Sequence, residues 1–163
     1  ELACTIGGLL LKENRPVEAL PFLEAASKSE EKPIAHDAFL MMAGAYRDLH
    51  NFPASRQKAL IAIELNPNDG AAYITIGNLY AASAPDCGND DFSNRTIYWA
   101  AVDKFNKALT LDAKVADTAA RLIAQYTAQF PDREEILLRE LREGSLYTVE
   151  CWFVEETKIR AAK

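Results

Sequence analysis

Few residues in this sequence have the types and spacing that catalysis or metal binding requires. His36 and His50 lie 14 residues apart, about four turns along one predicted helix, and are therefore too far apart to share a metal ion. Asp86, Asp90 and Asp91 form an acidic stretch, but they lack the alternating spacing of a calcium-binding loop. We therefore predict no metal site and no cofactor.

The cysteines offer little more chemistry. Cys151 has no histidine or asparagine around it that would activate a nucleophile, and we interpret it as part of a packed face. Cys4 and Cys87 are widely spaced from it and make the total odd, which indicates neither a disulfide framework nor a metal cluster. The sequence also lacks a glycine-rich phosphate loop and a serine–histidine–aspartate arrangement, so we predict that the chain is not an enzyme. The cysteines leave the redox compartment open.

Composition argues against two further classes of protein. The 163 residues are 49% hydrophobic, enough for one cored domain or a short repeat array. A net charge of −6 argues against a nucleic-acid surface, which needs clustered lysine and arginine. No stretch approaches about 18 consecutive apolar residues, so we predict no membrane span. The chain opens on Glu1 without a methionine or a basic leader region, and we expect further sequence upstream of it.

Apolar and small residues recur along the chain at helical spacing, and the whole pattern itself repeats. One complete copy occupies residues 36–69, with Phe39, Met42, Ala43, Tyr46, Ser55, Ala59, Ala62 and Pro67. A second copy starts at residue 70 with Tyr73, Ile76, Gly77 and Tyr80. The residues of its second half lie 12 positions later than the spacing of the first copy predicts, and they are Ala101, Phe105 and Ala108. Partial copies lie on either side, with Ile6, Gly7, Leu10, Ala19, Leu23 and Ala26 before and Ala119, Leu122, Ile123 and Tyr126 after.

This pattern resembles the tetratricopeptide repeat family over residues 1–129. The resemblance implies an all-α fold, a right-handed solenoid of helix pairs in which residues such as Gly7 and Gly77 let paired helices approach closely. The repeats would occupy residues 1–33, 36–69 and 70–114, with capping helices over 115–142. We expect helices at 2–13, 16–29, 35–50, 53–65, 70–83, 92–111, 115–129 and 132–142, and no strand before residue 144.

The 12-residue delay falls on residues 82–91, a stretch rich in turn formers such as Pro85 and Gly88. An inserted loop would explain why the first half of this repeat keeps its spacing while the second half is displaced. We therefore predict a surface loop over 82–91, followed by a second helix, 92–111, that is longer than usual.

After Gly144 the pattern changes to a strand-like period of two, with one apolar face formed by Tyr147, Val149, Cys151 and Phe153. We predict a short C-terminal β segment within an extended tail, 145–163. The spacing Gly-x-x-Tyr-x-Val-x-x-Trp, which starts at Gly144, resembles the C-terminal ends of tetratricopeptide proteins from Bacteroidetes bacteria.

A lone strand leaves unpaired backbone groups, so residues 145–160 must pair with another strand. They can form a hairpin or pair between two molecules, and we prefer the second arrangement, a homodimer. The apolar face would then lie on the last helix, 132–142, or on the second molecule.

The resemblance also implies a binding groove. In this family the first helix of each repeat lines a concave surface at fixed positions. In this chain those positions are Cys4, Thr5, Gly8, Leu11, Asp37, Leu40, Met41, Gly44, Arg47, Ala71, Ile74, Thr75, Asn78, Ala81, Asp117, Ala120, Arg121, Ala124 and Thr127. The partner-binding residues that we predict at these positions are Leu40, Met41, Arg47, Ile74, Thr75, Asn78 and Arg121. Chaperone-binding members clamp a C-terminal carboxylate there, but the clamp positions in this chain cannot hold an anion. They are Cys4, Gly8, Met41, Ala71 and Thr75.

We therefore predict a protein–protein interaction scaffold whose groove binds a protein or peptide segment of low charge. Burial of Leu40, Met41 and Ile74 would supply affinity, while Asn78 and Arg47 would set the register. The alternative is a structural self-assembly module that uses the C-terminal strand. The resemblance points to a bacterial protein, and the choice between cytoplasm and periplasm stays open, as does the identity of the partner.

Overall fold

The computed structural model describes all 163 residues and is mostly helical, with one small antiparallel sheet. The helices are α1 (Leu2–Lys12), α2 (Pro16–Ala26), α3 (Lys32–Asp48), α4 (Phe52–Leu65), α5 (Gly70–Cys87), α6 (Asp91–Leu111), α7 (Ala116–Thr127) and α8 (Arg133–Leu138). A 3₁₀ turn (Ala113–Val115) precedes α7, and the strands are β1 (Leu146–Glu150) and β2 (Val154–Lys158). The number of expected helices is confirmed, as is the absence of strands before residue 144. The last helix, expected at 132–142, is shorter and ends at Leu138.

The chain divides into two compact units, Glu1–Thr75 and Ile76–Lys163, and α5 crosses the boundary. In the first unit, α1 packs against α2 and α3, and α3 packs against α2 and α4. Its core includes the buried side chains of Ala19, Leu23 and Met42. The sequence expectation of a close helix contact at Gly7 is confirmed, because a Cβ there would lie only 2.5 Å from Leu23 Cδ2.

The two helix pairs of the first unit turn in the same way. Asn14 and His50, 36 residues apart, have φ angles of 59° and 57°, which non-glycine residues rarely adopt. In the first turn, the backbone N–H of Arg15 donates to the carbonyl oxygen five residues earlier at 2.9 Å. In the second turn, the backbone N–H of Asn51 makes the same bond at 2.8 Å. A proline then occupies the first turn of α2 and of α4. This recurrence shows that the repeat in the sequence is also a repeat in the backbone of this unit.

In the second unit the C-terminal segment forms a hairpin. β1 pairs with β2 in antiparallel register, from Leu146 opposite Lys158 to Glu150 opposite Val154. The predicted β segment is therefore confirmed, and its strands find their partners within one chain. The remaining pairs that complete the register are Tyr147 with Thr157, Thr148 with Glu156 and Val149 with Glu155.

The inner face of the hairpin lies on α5 and α6, whereas we expected helix 132–142 or a second molecule to cover it. The Phe153 ring stacks on Tyr80 of α5, with the ring centroids 3.7 Å apart. On α6, the Trp99 indole N–H donates to the carbonyl oxygen of Arg160 at 2.8 Å. These two large aromatic side chains supply apolar area and a hydrogen-bond donor together, which the short helix α8 does not offer.

The prediction of a surface loop over 82–91 is wrong. Helix α5 continues to Cys87, and only residues 88–90 connect it to α6. Two residues within the supposed loop, Ser83 and Ala84, are buried, and the Ser83 hydroxyl donates to the carbonyl oxygen of Leu79. Their burial outweighs the helix-breaking tendency of Pro85, which stands inside the last turn of the helix. The second helix of this repeat, α6, is indeed long, with 21 residues.

The cysteines were also misjudged, because Cys87 and Cys151 form a disulfide. The bond joins the end of α5 to the turn of the hairpin, across 64 residues of sequence. Cys151 is exposed in that turn and does not belong to the packed face on which we placed it. Cys4 is the one free cysteine of the chain.

Candidate functional site

A hollow of about 500 Å³ lies in the first unit, where residues of α1 face residues of α3. Five of its lining residues hold positions that the sequence analysis places on the concave side of the first helices. They are Cys4, Thr5, Gly8, Asp37 and Met41. Its size falls within the range of small-ligand pockets, and it can accommodate one or two side chains of a bound segment.

The floor of the hollow depends on Gly8 and Met41. Met41 is half-buried and packs against the core of the unit. A Cβ at Gly8 would lie 3.5 Å from the Met41 sulfur, so the missing side chain leaves that sulfur accessible from the hollow. Methionine adapts its shape to different apolar partners, which suits a binding floor.

Carboxylates surround one end of the hollow. Glu1, Glu31 and Asp37 line it, and Lys12 is its one basic residue. Burial raises the pKa of the Cys4 thiol, the Asp37 carboxylate raises it further, and the N-terminal ammonium lowers it. The thiol is therefore protonated at neutral pH, which makes it a poor nucleophile.

Four of the other predicted groove residues lie in the first unit but do not line this hollow. Leu40 is half-buried on α3, and Arg47 is exposed and pairs with Asp48 at 2.8 Å. The Thr75 hydroxyl donates to the carbonyl oxygen four residues earlier at 2.9 Å, so a partner would have to compete for it. Ile74, on the same helix, is half-buried.

The remaining two predicted residues belong to the second unit. Asn78 is half-buried on α5, and Arg121 is exposed on α7. The α7 positions assigned to the concave side, Ala120, Ala124 and Thr127, line a second depression of about 340 Å³. Neither Asn78 nor Arg121 lines it.

Sequence reasoning missed five residues that line the hollow, namely Glu1, Leu9, Lys12, Glu31 and Ile34. Glu31 stands at the N-terminal end of α3, which begins at Lys32, three residues earlier than expected. The available signal was the pair Lys32-Pro33, because a proline suits the first turn of a helix. The five residues escaped notice because they are not at the fixed groove positions of the family.

The two histidines lie apart from any such hollow. His36 is buried on α3, with Nδ1 3.0 Å from Asp37 and Nε2 2.9 Å from Asp69, although the second contact is poorly aligned for a hydrogen bond. Asp69 also accepts from the backbone N–H of Ala71, in the first turn of α5. His36 therefore links the start of α3 to the start of α5, and His50 belongs to the turn after α3.

With this geometry established, the sequence was compared with known proteins. No family model matches the chain. A search of curated proteins likewise finds no match. The structure adds two findings of its own: no helix combines the length and apolar character needed to cross a bilayer, and no group of three or more histidine, cysteine or acidic side chains is placed to hold a metal ion.

Proposed function

We propose that the chain is a tetratricopeptide-type scaffold that binds a protein or peptide segment on the concave side of its first helices. The observation that carries this proposal is the hollow between α1 and α3, which is lined at the positions that the family pattern assigns to its groove. The repeated turn after Asn14 and His50 supports the same repeat frame. The close helix contacts at Gly7 and Gly77 support it as well.

Binding in this hollow would draw its affinity from apolar burial. Met41, Ile34 and Leu9 present carbon and sulfur surface that a partner side chain would cover. A few well-buried anchor side chains usually dominate the affinity of such a contact, with polar residues around the rim setting the register. This division of roles fits a hollow whose floor is apolar and whose charged residues stand at its edge.

Cys4 and His36 are the side chains best suited to chemistry, and their surroundings favour a binding role over an enzymatic one. The Cys4 thiol is held in its protonated form by burial and by Asp37. His36 is packed between two carboxylates, at 3.0 and 2.9 Å, and it does not line the hollow. Covalent catalysis needs a nucleophile and a base within hydrogen-bond reach of each other.

The Cys87–Cys151 disulfide bears on the cellular compartment in which the scaffold acts. Disulfides form and persist in oxidising compartments and are rare in the cytosol. We therefore assign the protein to an oxidising environment, which for a bacterial protein is the periplasm or the cell exterior. This narrows the choice that the sequence leaves open.

A selection experiment tests the binding proposal. Random peptides displayed on phage are selected against the intact protein, and enriched peptides are then tested on two variants. Met41→Lys places a charge in the floor of the hollow, and we expect it to weaken binding at least about tenfold, because this charge would lose its water on binding. Gln57→Lys adds the same charge on the exposed side of α4 and should leave binding unchanged.

Two results would contradict the proposal that a segment binds in the hollow between α1 and α3. One is the failure of any peptide to enrich above a surface without protein. The other is an enriched set that binds Met41→Lys as well as it binds the wild type.

Self-association through the hairpin is a second candidate, because the outer face of the hairpin exposes apolar residues. Leu146 and Val154, at opposite ends of the strands, are each 63% exposed. If this face forms a homodimer, sedimentation velocity should show a dimer that becomes monomeric in the Leu146→Glu/Val154→Glu variant. A wild-type chain that stays monomeric at tens of micromolar would exclude this candidate and leave the groove as the binding surface.

A further inference from the structure

We propose that the segment bound in the hollow between α1 and α3 carries a lysine or arginine side chain flanked by apolar residues. This inference rests on the proposed function and names the chemistry of its partner. It departs from the low-charge segment that the sequence analysis predicts. It is carried by the uneven distribution of charge around an apolar floor.

The charges are sorted along the hollow because α1 and α3 run side by side in the same direction. Cys4 lies within electrostatic reach of Asp37, and Gly8 lies against Met41, so the same offset of 33 residues relates both pairs. Glu1 and Glu31 each lie close in sequence to one member of the first pair, at the start of its helix. Lys12 stands in the last turn of α1, about 12 Å further along the helix axis than Cys4.

The acidic end of the hollow has unused capacity for a cation. Asp37 is 60% exposed at its side chain, and Oδ1 contacts His36 Nδ1 at 3.0 Å. That contact leaves Asp37 Oδ2 available to a ligand. The Glu31 side chain forms no ion pair within the chain, and neither does Lys12, so the lysine does not neutralise these acids.

The Cys4 thiol lies in the same electrostatic field. It lines the hollow, burial raises its pKa, the Asp37 carboxylate raises it further, and the N-terminal ammonium lowers it. A negative potential that disfavours a thiolate favours a cation at the same place.

The shape of the floor fits a long basic side chain better than a small cation. The aliphatic stem of lysine or arginine can lie over Met41 and Ile34, in the space that Gly8 leaves open. The charged head then reaches Asp37 and Glu31 at the rim, where charge-assisted hydrogen bonds form. Apolar residues on either side of it would cover the rest of the floor.

Three synthetic peptides test this inference on the intact protein. They are acetyl-Ala-Leu-Ala-Lys-Ala-Leu-Ala-amide and the versions with norleucine or glutamate in place of lysine. Cys4 is the free thiol and lines the hollow. Its rate of alkylation by the neutral reagent iodoacetamide reports occupancy at mildly alkaline pH, where part of the thiol is ionised and a lysine side chain is still charged. We expect the lysine peptide to protect Cys4 at about threefold to tenfold lower concentration than the norleucine peptide, from two exposed charge contacts. The glutamate peptide should be the weakest.

The variants separate charge from general binding. In Glu31→Gln/Asp37→Asn the lysine and norleucine peptides should become equal, and in the control Glu24→Gln, on exposed α2 surface, the preference should remain. Added salt should narrow the preference in the wild type. Two results would overturn the inference of a basic side chain: equal protection by the lysine and norleucine peptides in the wild type, or a lysine preference that survives the double variant. Neither result would contradict the proposal that the hollow binds a peptide segment. Failure of all three peptides to protect Cys4 at millimolar concentration would contradict both.

Discussion

Loss of the Cys87–Cys151 disulfide is expected to lower the free energy of unfolding of the second unit by about 4 kcal/mol. The bond closes a loop across 64 residues, and a loop of that length removes about this much conformational freedom from the unfolded chain. The loss is a large part of the 5–15 kcal/mol that typically stabilises a domain. It is therefore the largest single effect that we predict.

Part of the hairpin packing should survive this loss. Phe153 still stacks on Tyr80, and the Trp99 indole still donates to the Arg160 carbonyl, because neither contact involves a cysteine. We therefore expect the Cys87→Ser/Cys151→Ser variant to remain folded at low temperature and to unfold at a much lower urea concentration.

Tryptophan fluorescence measures this directly, because both tryptophans, Trp99 and Trp152, belong to the second unit. The control is Cys4→Ser, in the first unit, which should leave the fluorescence transition in place. An unchanged urea midpoint in the double serine variant would show that the disulfide does not stabilise the fold.

Gly77→Ala is expected to destabilise the protein by about 1–3 kcal/mol, and Gly77→Leu by more. A Cβ at Gly77 would lie 2.5 Å from Cε1 of Phe105, closer than real Cβ atoms approach a neighbour. The Phe105 ring is fully buried and stacks on Tyr126, with centroids 5.8 Å apart, so it has little room to move. The helix backbones must therefore separate to admit even one methyl group.

Gly44→Ala is the matched control, because it makes the same change inside helix α3. A Cβ at Gly44 would meet no atom within 4 Å. Without a clash, the better helix propensity of alanine should raise the free energy of unfolding by about 0.5–1 kcal/mol. Thermal unfolding followed by circular dichroism should thus show opposite shifts for the two variants. Shifts of the same sign would mean that Gly77 is not at a close helix contact.

Structural features that depend on the local spacing of apolar and small residues are predicted well from the sequence. The helices from α1 to α7 start close to their expected positions because apolar residues recur at helical spacing. The tight contact at Gly77 is predicted for the same reason, since a small residue recurs at that point of each repeat. Met41 and Asp37 likewise reach the hollow because they stand at fixed positions of a repeat.

What the sequence does not predict depends on residues that are far apart in the chain. Cys87 and Cys151 meet because the hairpin turns back onto α5, and no spacing rule indicates that meeting. The continuation of α5 through Pro85 follows from burial of Ser83 and Ala84, which is decided by tertiary packing. The charge of the hollow depends on Glu31, which lies outside the repeat pattern and becomes visible only in the structure.

The central claim is that a peptide binds in the hollow between α1 and α3, and the two methionines allow a direct test. Met41 lines the hollow, whereas Met42 is 1% exposed in the core and serves as an internal control. With ¹³C-labelled methionine methyl groups, titration of a peptide enriched in the phage selection should shift the Met41 signal and leave the Met42 signal in place. If the peptide binds and the Met41 signal does not move, the binding site lies elsewhere and the groove assignment is wrong.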